Sequence, residues 1–125
     1  MGQEEIAPDF ESGPLDELTQ VLPATVVREL SASFYESVAS CFAKLDAAAI
    51  ENDWAAIKEQ GHDLKGISGT FGAKRLQELA AELEHMDFDQ NAARVPALLE
   101  AAKQTYVSAK TAIDKALDSA TSAAA

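Results

Sequence analysis

The residues with the clearest chemical potential lie in the segment HDLKGISG, residues 62–69, which places a histidine, a lysine and two glycines inside a helical pattern. A neutral imidazole nitrogen is nucleophilic near pH 7 and can carry a phosphoryl group as a covalent intermediate. Lys65 follows His62 by about one helical turn, so its ammonium can neutralise phosphoryl oxygens held there. The segment therefore predicts a phosphoryl acceptor at His62, with Lys65 as its charge partner.

The helical face around His62 is expected to be bare and basic. At about 100° per residue, Lys58, Gly66 and Gly69 share this face, while the apolar stripe centres near Leu64 on the opposite side. Each helical glycine costs roughly 1 kcal/mol relative to alanine, so two of them indicate a surface that a partner must approach closely. We expect an exposed imidazole on a surface that suits an anion, most simply a phosphoryl group.

Three other potentially reactive side chains, Ser68, His85 and Cys41, are expected to have structural roles only. Ser68 lies nearer the buried side, where its hydroxyl is expected to bond to the carbonyl of Leu64. His85 is expected to act only as a cation near a helix C-terminus, and Cys41 as a small hydrophobic residue. The two histidines, His62 and His85, lie on different predicted helices, so no metal site is expected.

The elements that must position His62 are four amphipathic helices, because apolar residues recur at steps of three and four and no segment alternates as a strand does. The four stripes are Val27, Leu30, Phe34, Val38, Cys41, Leu45 and Ala48; Ile57, Gly61, Leu64, Ser68 and Phe71; Leu76, Leu79, Leu83 and Met86; and Val95, Leu99, Ala102, Tyr106, Ala109, Ile113 and Ala116. Such stripes are buried best in an antiparallel four-helix bundle. The predicted fold is all-α.

Residues that cap or break helices predict the boundaries of the domain and of its helices. Residues 1–13 are expected to form a flexible acidic lead-in, and residues 14–118 the bundle domain, followed by a tail over residues 119–125. A short extra N-terminal helix is predicted from Pro14 until Pro23 stops it. Asp53 is the predicted N-cap of the helix that carries His62, which ends at Gly72, and the segment DFDQNAAR, residues 87–94, is predicted to be a polar loop.

Aromatic residues divide into two groups. Three are expected to belong to the core: Trp54, Phe71 and Tyr106. Phe34, Tyr35 and Phe42 cannot all face one stripe, so one of them is expected to contribute to an exposed apolar docking patch.

The amino-acid composition limits the binding partners and the cell compartment that can be expected for this protein. The formal net charge of −11 repels phosphate backbones and acidic lipid surfaces, so neither nucleic acid nor membranes are expected as partners. A single cysteine excludes an intramolecular disulfide framework and fits a reducing compartment. With no basic, apolar leader and no long apolar run, the sequence favours a cytoplasmic protein.

The run HDLKGISGTFGAKRLQELAAELE resembles the signature of histidine-containing phosphotransfer (HPt) domains, in which H-x-L-K-G-x-S leads to Gly-Ala and then to spaced leucines ending in Leu-Glu. The matching positions are His62, Leu64, Lys65, Gly66, Ser68, Gly72, Ala73, Leu76, Leu79, Leu83 and Glu84. Trp54, Ile57 and LLEAAKQTY in the last helix extend the similarity across about residues 15–117. Gly61 stands where the family often has alanine and is expected to loosen the helix, and Ile67 stands where a small polar residue is common.

The resemblance implies a relay module of two-component signalling that accepts a phosphoryl group on His62 from an aspartyl phosphate of one receiver domain and passes it to another. By the same resemblance, Lys65 would be the charge partner of the phosphoryl group, and Gly66 would leave space beside His62. Implied partners are receiver domains of response regulators or of hybrid histidine kinases, with the chain a monomer. The resemblance assigns Mg²⁺ to the receiver, so the chain itself would bind no cofactor and have no ATP-dependent kinase activity.

Two other functions compete with the relay. A module of the same shape could use the His62 face only to dock and sequester a receiver or kinase. A helical adaptor or oligomerisation bundle would involve no phosphoryl chemistry, and it leaves the two glycines near His62 unexplained.

Overall fold

The computed structural model describes residues 6–124, with side chains described as far as residue 120. Its helices are α1 (Gly13–Val21), α2 (Ala24–Glu51), α3 (Trp54–Thr70), α4 (Lys74–His85), α5 (Phe88–Asn91) and α6 (Val95–Ala124), and a 3₁₀ turn covers Ala92–Arg94. No strand occurs among residues 6–124. The prediction of an all-α fold is confirmed.

Four of these helices form the bundle. Helix α2 packs against α3 and α6, and α4 packs against the same two helices, so each long helix has two neighbours. Short connections join α2 to α3 and α3 to α4, which reverses the chain direction between neighbours. The short helix α1 contacts α2 and α3, which matches the predicted bundle with an extra N-terminal helix.

The predicted stripes meet in one core, with a few corrections. Leu30 was expected on the α2 stripe but is 41% exposed. The expectation of an exposed aromatic residue was wrong: Phe34 and Phe42 are buried, and Tyr35 is half-buried with its hydroxyl donating to Asp114. Among the residues whose side chains the structure describes, the exposed large apolar side chains are Ile6, Val21, Leu30, Ile50 and Val107.

The helix that carries His62 begins and ends as its sequence predicts. The Asp53 carboxylate accepts from the backbone N–H of Ala56 at 3.1 Å, which makes Asp53 the N-cap of α3. Asn52 just before it has φ of 55°, a left-handed conformation that asparagine tolerates. At the other end Gly72 adopts φ of 78°, which reverses the chain toward α4.

Helices α3 and α4 approach each other unusually closely at Gly61. A Cβ atom on Gly61 would lie 2.9 Å from the carbonyl oxygen of Ala80 and 3.0 Å from the backbone nitrogen of Glu84. Gly61 was expected to loosen the helix, but its missing side chain lets the two backbones meet.

The segment DFDQNAAR is structured, contrary to the predicted polar loop. It forms α5 and the 3₁₀ turn, and Phe88 is buried. The Phe88 ring stacks on Trp54 with centroids 5.0 Å apart and planes 3° apart. One large apolar residue in a polar segment gives no periodic signal, so the sequence pattern missed this contact. Trp54 is half-buried and packs against the core, and Phe71 is buried in it.

The described residues near both ends of the chain make contacts and helical structure that the sequence did not predict. In the lead-in, the N–H of Ala7 donates to Glu78 and the carbonyl of Pro8 accepts from the N–H of Arg75. The part of the lead-in at residues 1–5 lies outside the described residues. Helix α6 was expected to end near residue 117 but its backbone continues to Ala124, and side chains of the predicted tail beyond residue 120 lie outside the described residues.

Candidate functional site

The imidazole of His62 projects from the middle of α3 into solvent. Its side chain is 67% exposed, while Leu64 on the opposite side of the helix is fully buried. The helical wheel therefore placed both residues correctly. Exposure leaves the ring accessible to a second protein, which a nucleophile for intermolecular transfer needs.

One carboxylate from α4 holds both His62 and Lys65. Oε2 of Glu84 lies 2.5 Å from Nδ1 of His62, and Oε1 lies 2.5 Å from Nζ of Lys65. The Glu84 side chain is only 16% exposed, and Lys65 is 32% exposed. Sequence reasoning placed Glu84 in the family motif without a role, because its proximity to His62 depends on the packing of α3 against α4.

Glu84 is ionised at neutral pH. The hydrogen bond from Lys65 lowers the pKa of Glu84 most, partial burial opposes this change, and the hydrogen bond with His62 lowers the pKa further. A carboxylate has no proton to donate, so Nδ1 of His62 must be the donor in their hydrogen bond. This assigns the neutral ring as the Nδ1–H tautomer, with the lone pair of Nε2 facing solvent.

His85 lies near the same carboxylate. Its Nε2 is 3.3 Å from Oε1 of Glu84, and its side chain is 69% exposed. It ends α4, where a cationic side chain also interacts favourably with the helix dipole. The sequence predicted only the second of these features.

The predicted neighbours of His62 take different positions. A Cβ atom on Gly66 would meet no heavy atom within 4 Å, so this glycine leaves the surface bare, as predicted. A Cβ atom on Gly69 would lie 2.6 Å from Nε2 of Gln77, so Gly69 makes room for a side chain of α4 and is not a bare surface position. Lys58 lies with Nζ 5.7 Å from the centroid of the Phe88 ring. The surface lysine that the structure connects to the His62 site is therefore Lys65.

Two further side chains have the structural roles that the sequence predicts. The hydroxyl of Ser68 is fully buried and donates to the carbonyl of Leu64 at 2.6 Å. Cys41 is buried, and that burial raises the pKa of its thiol.

A shallow apolar groove lies between α2 and α3. It encloses about 200 Å³ and is lined by Leu30, Ser33, Phe34, Ser37, Ile67, Thr70 and Phe71. None of these residues is charged, in a chain of which 25% of residues are charged. Ile67, one of the two departures from the family pattern, thus lines a neutral groove on the helix that carries His62.

Among the residues that the structure describes, no three His, Cys, Asp or Glu side chains converge as a metal site would require. Within the same part of the chain, no helix has the length and apolar character to cross a membrane.

Comparison with known proteins identifies the family. The model of the Hpt domain matches residues 29–121, which include all of α3 and α4 and therefore His62, Lys65 and Glu84. No curated protein and no solved structure gives a significant match. The match covers most of the chain, and the helical bundle with an exposed histidine agrees with it. The chain therefore belongs to the Hpt domain family of histidine phosphotransfer proteins.

Proposed function

We propose that the protein relays phosphoryl groups between receiver domains through a phosphohistidine at His62. The observation that carries the proposal is the exposed imidazole whose Nδ1 is held by Glu84 while its other nitrogen faces solvent. The bare surface at Gly66 supports it, since a receiver domain must bring its aspartate within bonding distance of the ring.

The transfer step needs no proton donor from this chain. The lone pair of Nε2 of His62 attacks the phosphorus of an aspartyl phosphate on the receiver. The P–N bond forms as the P–O bond to the aspartate breaks, and the electron pair leaves with the aspartate as a carboxylate. The ring becomes cationic while keeping its Nδ1 proton, and the Glu84 carboxylate stabilises that charge. Transfer to a second receiver is the reverse of this step.

Lys65 is proposed to balance the charge of the phosphoryl group. Its ammonium is already fixed by Glu84 at 2.5 Å, one helical turn from His62. A lysine ammonium is a compact charge on a flexible stem, so it can turn from the carboxylate toward a phosphoryl group on the neighbouring ring. Lys58, whose Nζ lies 5.7 Å from the centroid of the Phe88 ring, and Gly69, which makes room for Gln77, are left outside this proposal.

The receiver is proposed to supply the Mg²⁺ and the aspartate, and this chain the histidine. The protein would then act as a phosphoacceptor and phosphodonor without ATP-dependent kinase activity of its own. The groove lined by Ile67 and Leu30 is proposed to contribute to receiver docking, because it is uncharged and its α3 residue Thr70 follows Gly66 by one helical turn. A monomer in the cytoplasm, where the buried Cys41 remains reduced, is the expected state.

A label-transfer experiment tests the relay. The protein is incubated with a panel of Mg²⁺-loaded receiver domains that carry labelled aspartyl phosphate. We expect acid-labile, base-stable label on the wild type and on His85→Gln, the matched histidine control, and none on His62→Gln. Receiver binding without label on any form would contradict the relay and support a docking or sequestering role. Label on His62→Gln would show that another residue is the acceptor.

A further inference from the structure

We infer that the N-terminal segment, residues 7–11, is a releasable strap that caps α4: its attachment orders the first turn of that helix, and its release frays the turn while the bundle stays packed. The inference goes beyond the proposed function and does not rest on it. It concerns the start of α4 at Lys74, whereas Glu84 lies in the last turn of the same helix.

Helix α4 begins without a side-chain cap. The first N–H groups of a helix have no acceptor within it, and a serine, threonine, aspartate or asparagine in front of the helix usually accepts one of them. Ala73 stands at this position in α4 and offers no side-chain acceptor. The N–H of Lys74 donates to the nearby carbonyl of Gly72 at 2.9 Å. The next N–H, that of Arg75, depends on an acceptor from outside the helix.

The N-terminal segment supplies that acceptor. The carbonyl of Pro8 accepts from the N–H of Arg75 at 3.0 Å. The Glu78 carboxylate, one turn further along α4, accepts from the N–H of Ala7 at 3.1 Å and from the Arg75 guanidinium at 2.9 Å. The segment and the first turn of α4 thus exchange hydrogen bonds in both directions, which is what a reciprocal helix cap does.

Two further contacts fix the segment on either side of α4. The N–H of Glu11 donates to the carbonyl of Gly72 at 2.8 Å, in the connection between α3 and α4. On α6, the buried hydroxyl of Thr105 donates to the carboxylate of Asp9. A change at Thr105 therefore reaches the first turn of α4 through the segment.

The segment is attached less firmly than the helices that it joins. It forms neither helix nor strand, and Pro8, Asp9 and Glu11 are exposed. Phe10 packs against the core but is only half-buried. Regions with few buried apolar contacts open at a lower free energy than the core does. The remaining turns of α4 are held in the core by fully buried or nearly fully buried leucines at Leu76, Leu79 and Leu83.

The test is hydrogen exchange of single backbone amides in the full chain, measured by NMR. Without an acceptor, the N–H of Arg75 would exchange almost as fast as in an unfolded peptide. We expect it to exchange at least about 10-fold more slowly than that in the wild type, at a rate close to that of the Glu11 N–H. Both should exchange faster than the N–H of Leu83 in the packed part of α4.

Thr105→Val tests whether the segment couples α6 to α4. Valine keeps the shape of threonine but removes the hydroxyl that holds Asp9. Loss of one hydrogen bond shifts an opening equilibrium by about 5-fold, so exchange at Glu11 and Arg75 should accelerate by that factor, with Leu83 unchanged. The matched control is Thr111→Val, whose lost hydroxyl donates to the carbonyl of Val107 within α6, and it should leave all three rates unchanged.

Arg75→Pro tests the same contact from α4. Proline is tolerated in the first turn of a helix but has no N–H for the Pro8 carbonyl, whereas the control Arg75→Ala keeps the N–H and removes only the guanidinium. We expect the backbone order parameters of Asp9 and Phe10 to fall from about 0.85 to below about 0.6 in Arg75→Pro and to stay high in Arg75→Ala.

Four results would overturn the inference. They are an unprotected Arg75 N–H in the wild type, unchanged exchange at Glu11 and Arg75 in Thr105→Val, equal acceleration at Arg75 and Leu83, and equal order parameters in the two variants of Arg75. None of these measurements involves phosphate or a receiver domain. Failure of label transfer to His62 would contradict the proposed function and leave this inference standing.

Discussion

At the residue scale, one carboxylate connects two side chains of the site. Glu84 binds the imidazole of His62 with one oxygen and the ammonium of Lys65 with the other. The ammonium keeps Glu84 ionised, and the ionised carboxylate fixes the proton on Nδ1 of the ring. The three side chains therefore act as a unit, and a change in one alters the protonation or position of the others.

Titration of Glu84 checks this coupling. Since the folded state lowers the pKa of Glu84 below the ordinary value of 4.5, its ionised form stabilises the fold above that pH, and the contribution is lost as the pH falls through the lowered pKa. We expect ¹³C NMR of the Glu84 carboxyl to show a midpoint below 4.5 in the wild type and a higher midpoint in Lys65→Gln. Equal midpoints in the two proteins would contradict the coupling.

Lys65 should affect phosphoryl transfer more than receiver binding. Replacement by Gln removes the charge that we propose offsets the phosphoryl oxygens, so we expect Lys65→Gln to slow transfer from a labelled receiver by about 10-fold or more. The matched control is Lys58→Gln. The Lys58 ammonium lies 5.7 Å from the centroid of the Phe88 ring, whereas the Lys65 ammonium binds Glu84. Quenched-flow measurement of transfer compares them, and equal rates would remove Lys65 from the chemistry.

At the element scale, the connection between α3 and α4 fixes where Glu84 lies relative to His62. Gly72 reverses the chain with φ of 78°, and its carbonyl accepts from the N–H of Glu11 at 2.8 Å. A Cβ atom there would collide with the carbonyl oxygen of Glu11. The turn therefore requires glycine for its backbone conformation and for its packing.

Two glycine substitutions should change stability in opposite directions. We expect Gly72→Ala to lower the free energy of unfolding by at least about 1 kcal/mol, because alanine is strained at positive φ. Gly66→Ala should raise it by about 0.5–1 kcal/mol, because position 66 is helical and a Cβ there meets nothing. Urea denaturation measures both, and changes of the same sign would show that these backbone arguments fail.

The stacking of Phe88 on Trp54, at the start of α3, should contribute a large part of the free energy of unfolding. Replacement of a buried phenylalanine by alanine costs about 3–5 kcal/mol, a large fraction of the stability of a typical domain. We expect Phe88→Ala to show such a loss by chemical denaturation and Phe88→Leu to lose much less. A cost below about 1 kcal/mol for Phe88→Ala would mean that DFDQNAAR behaves as the polar loop that its sequence suggests.

At the scale of the whole molecule, the N-terminal segment links parts of the bundle that are far apart in sequence. Pro8 and Glu11 bond to backbone groups at the α3 to α4 connection, and Asp9 accepts a hydrogen bond from the buried hydroxyl of Thr105 on α6. These contacts join α4 and α6 at the end of the bundle near Gly72. Residues 8–11 thus contact the packed helices.

Removal of residues 1–11 should destabilise the bundle without removing the acceptor. Each lost hydrogen bond contributes about 1 kcal/mol, so we expect a loss of about 2–3 kcal/mol by urea denaturation, and about 1 kcal/mol for Asp9→Ala alone. Label transfer to His62 should persist under conditions where the shortened chain is folded, because these contacts lie at Gly72, Arg75 and Thr105. Unchanged stability would show that the segment is not held in solution.

The sequence by itself determined the local features of this protein. The repeat of apolar residues gave the four long helices, Asp53 gave the start of α3, and the helical wheel placed His62 in solvent and Ser68 in the core. Each of these depends on residues within one or two turns of each other, whose relative positions a regular helix fixes.

Tertiary structure alone decided which residues of different helices meet. Glu84 contacts His62 across 22 residues of sequence, Gly61 accommodates the backbone of α4, and Phe88 stacks on Trp54 from a segment without periodicity. The packing of α3 against α4 also places the Gln77 side chain in the space beside Gly69. The axial offset and separation of two helices depend on the packing of all their side chains together, so no single stripe specifies them.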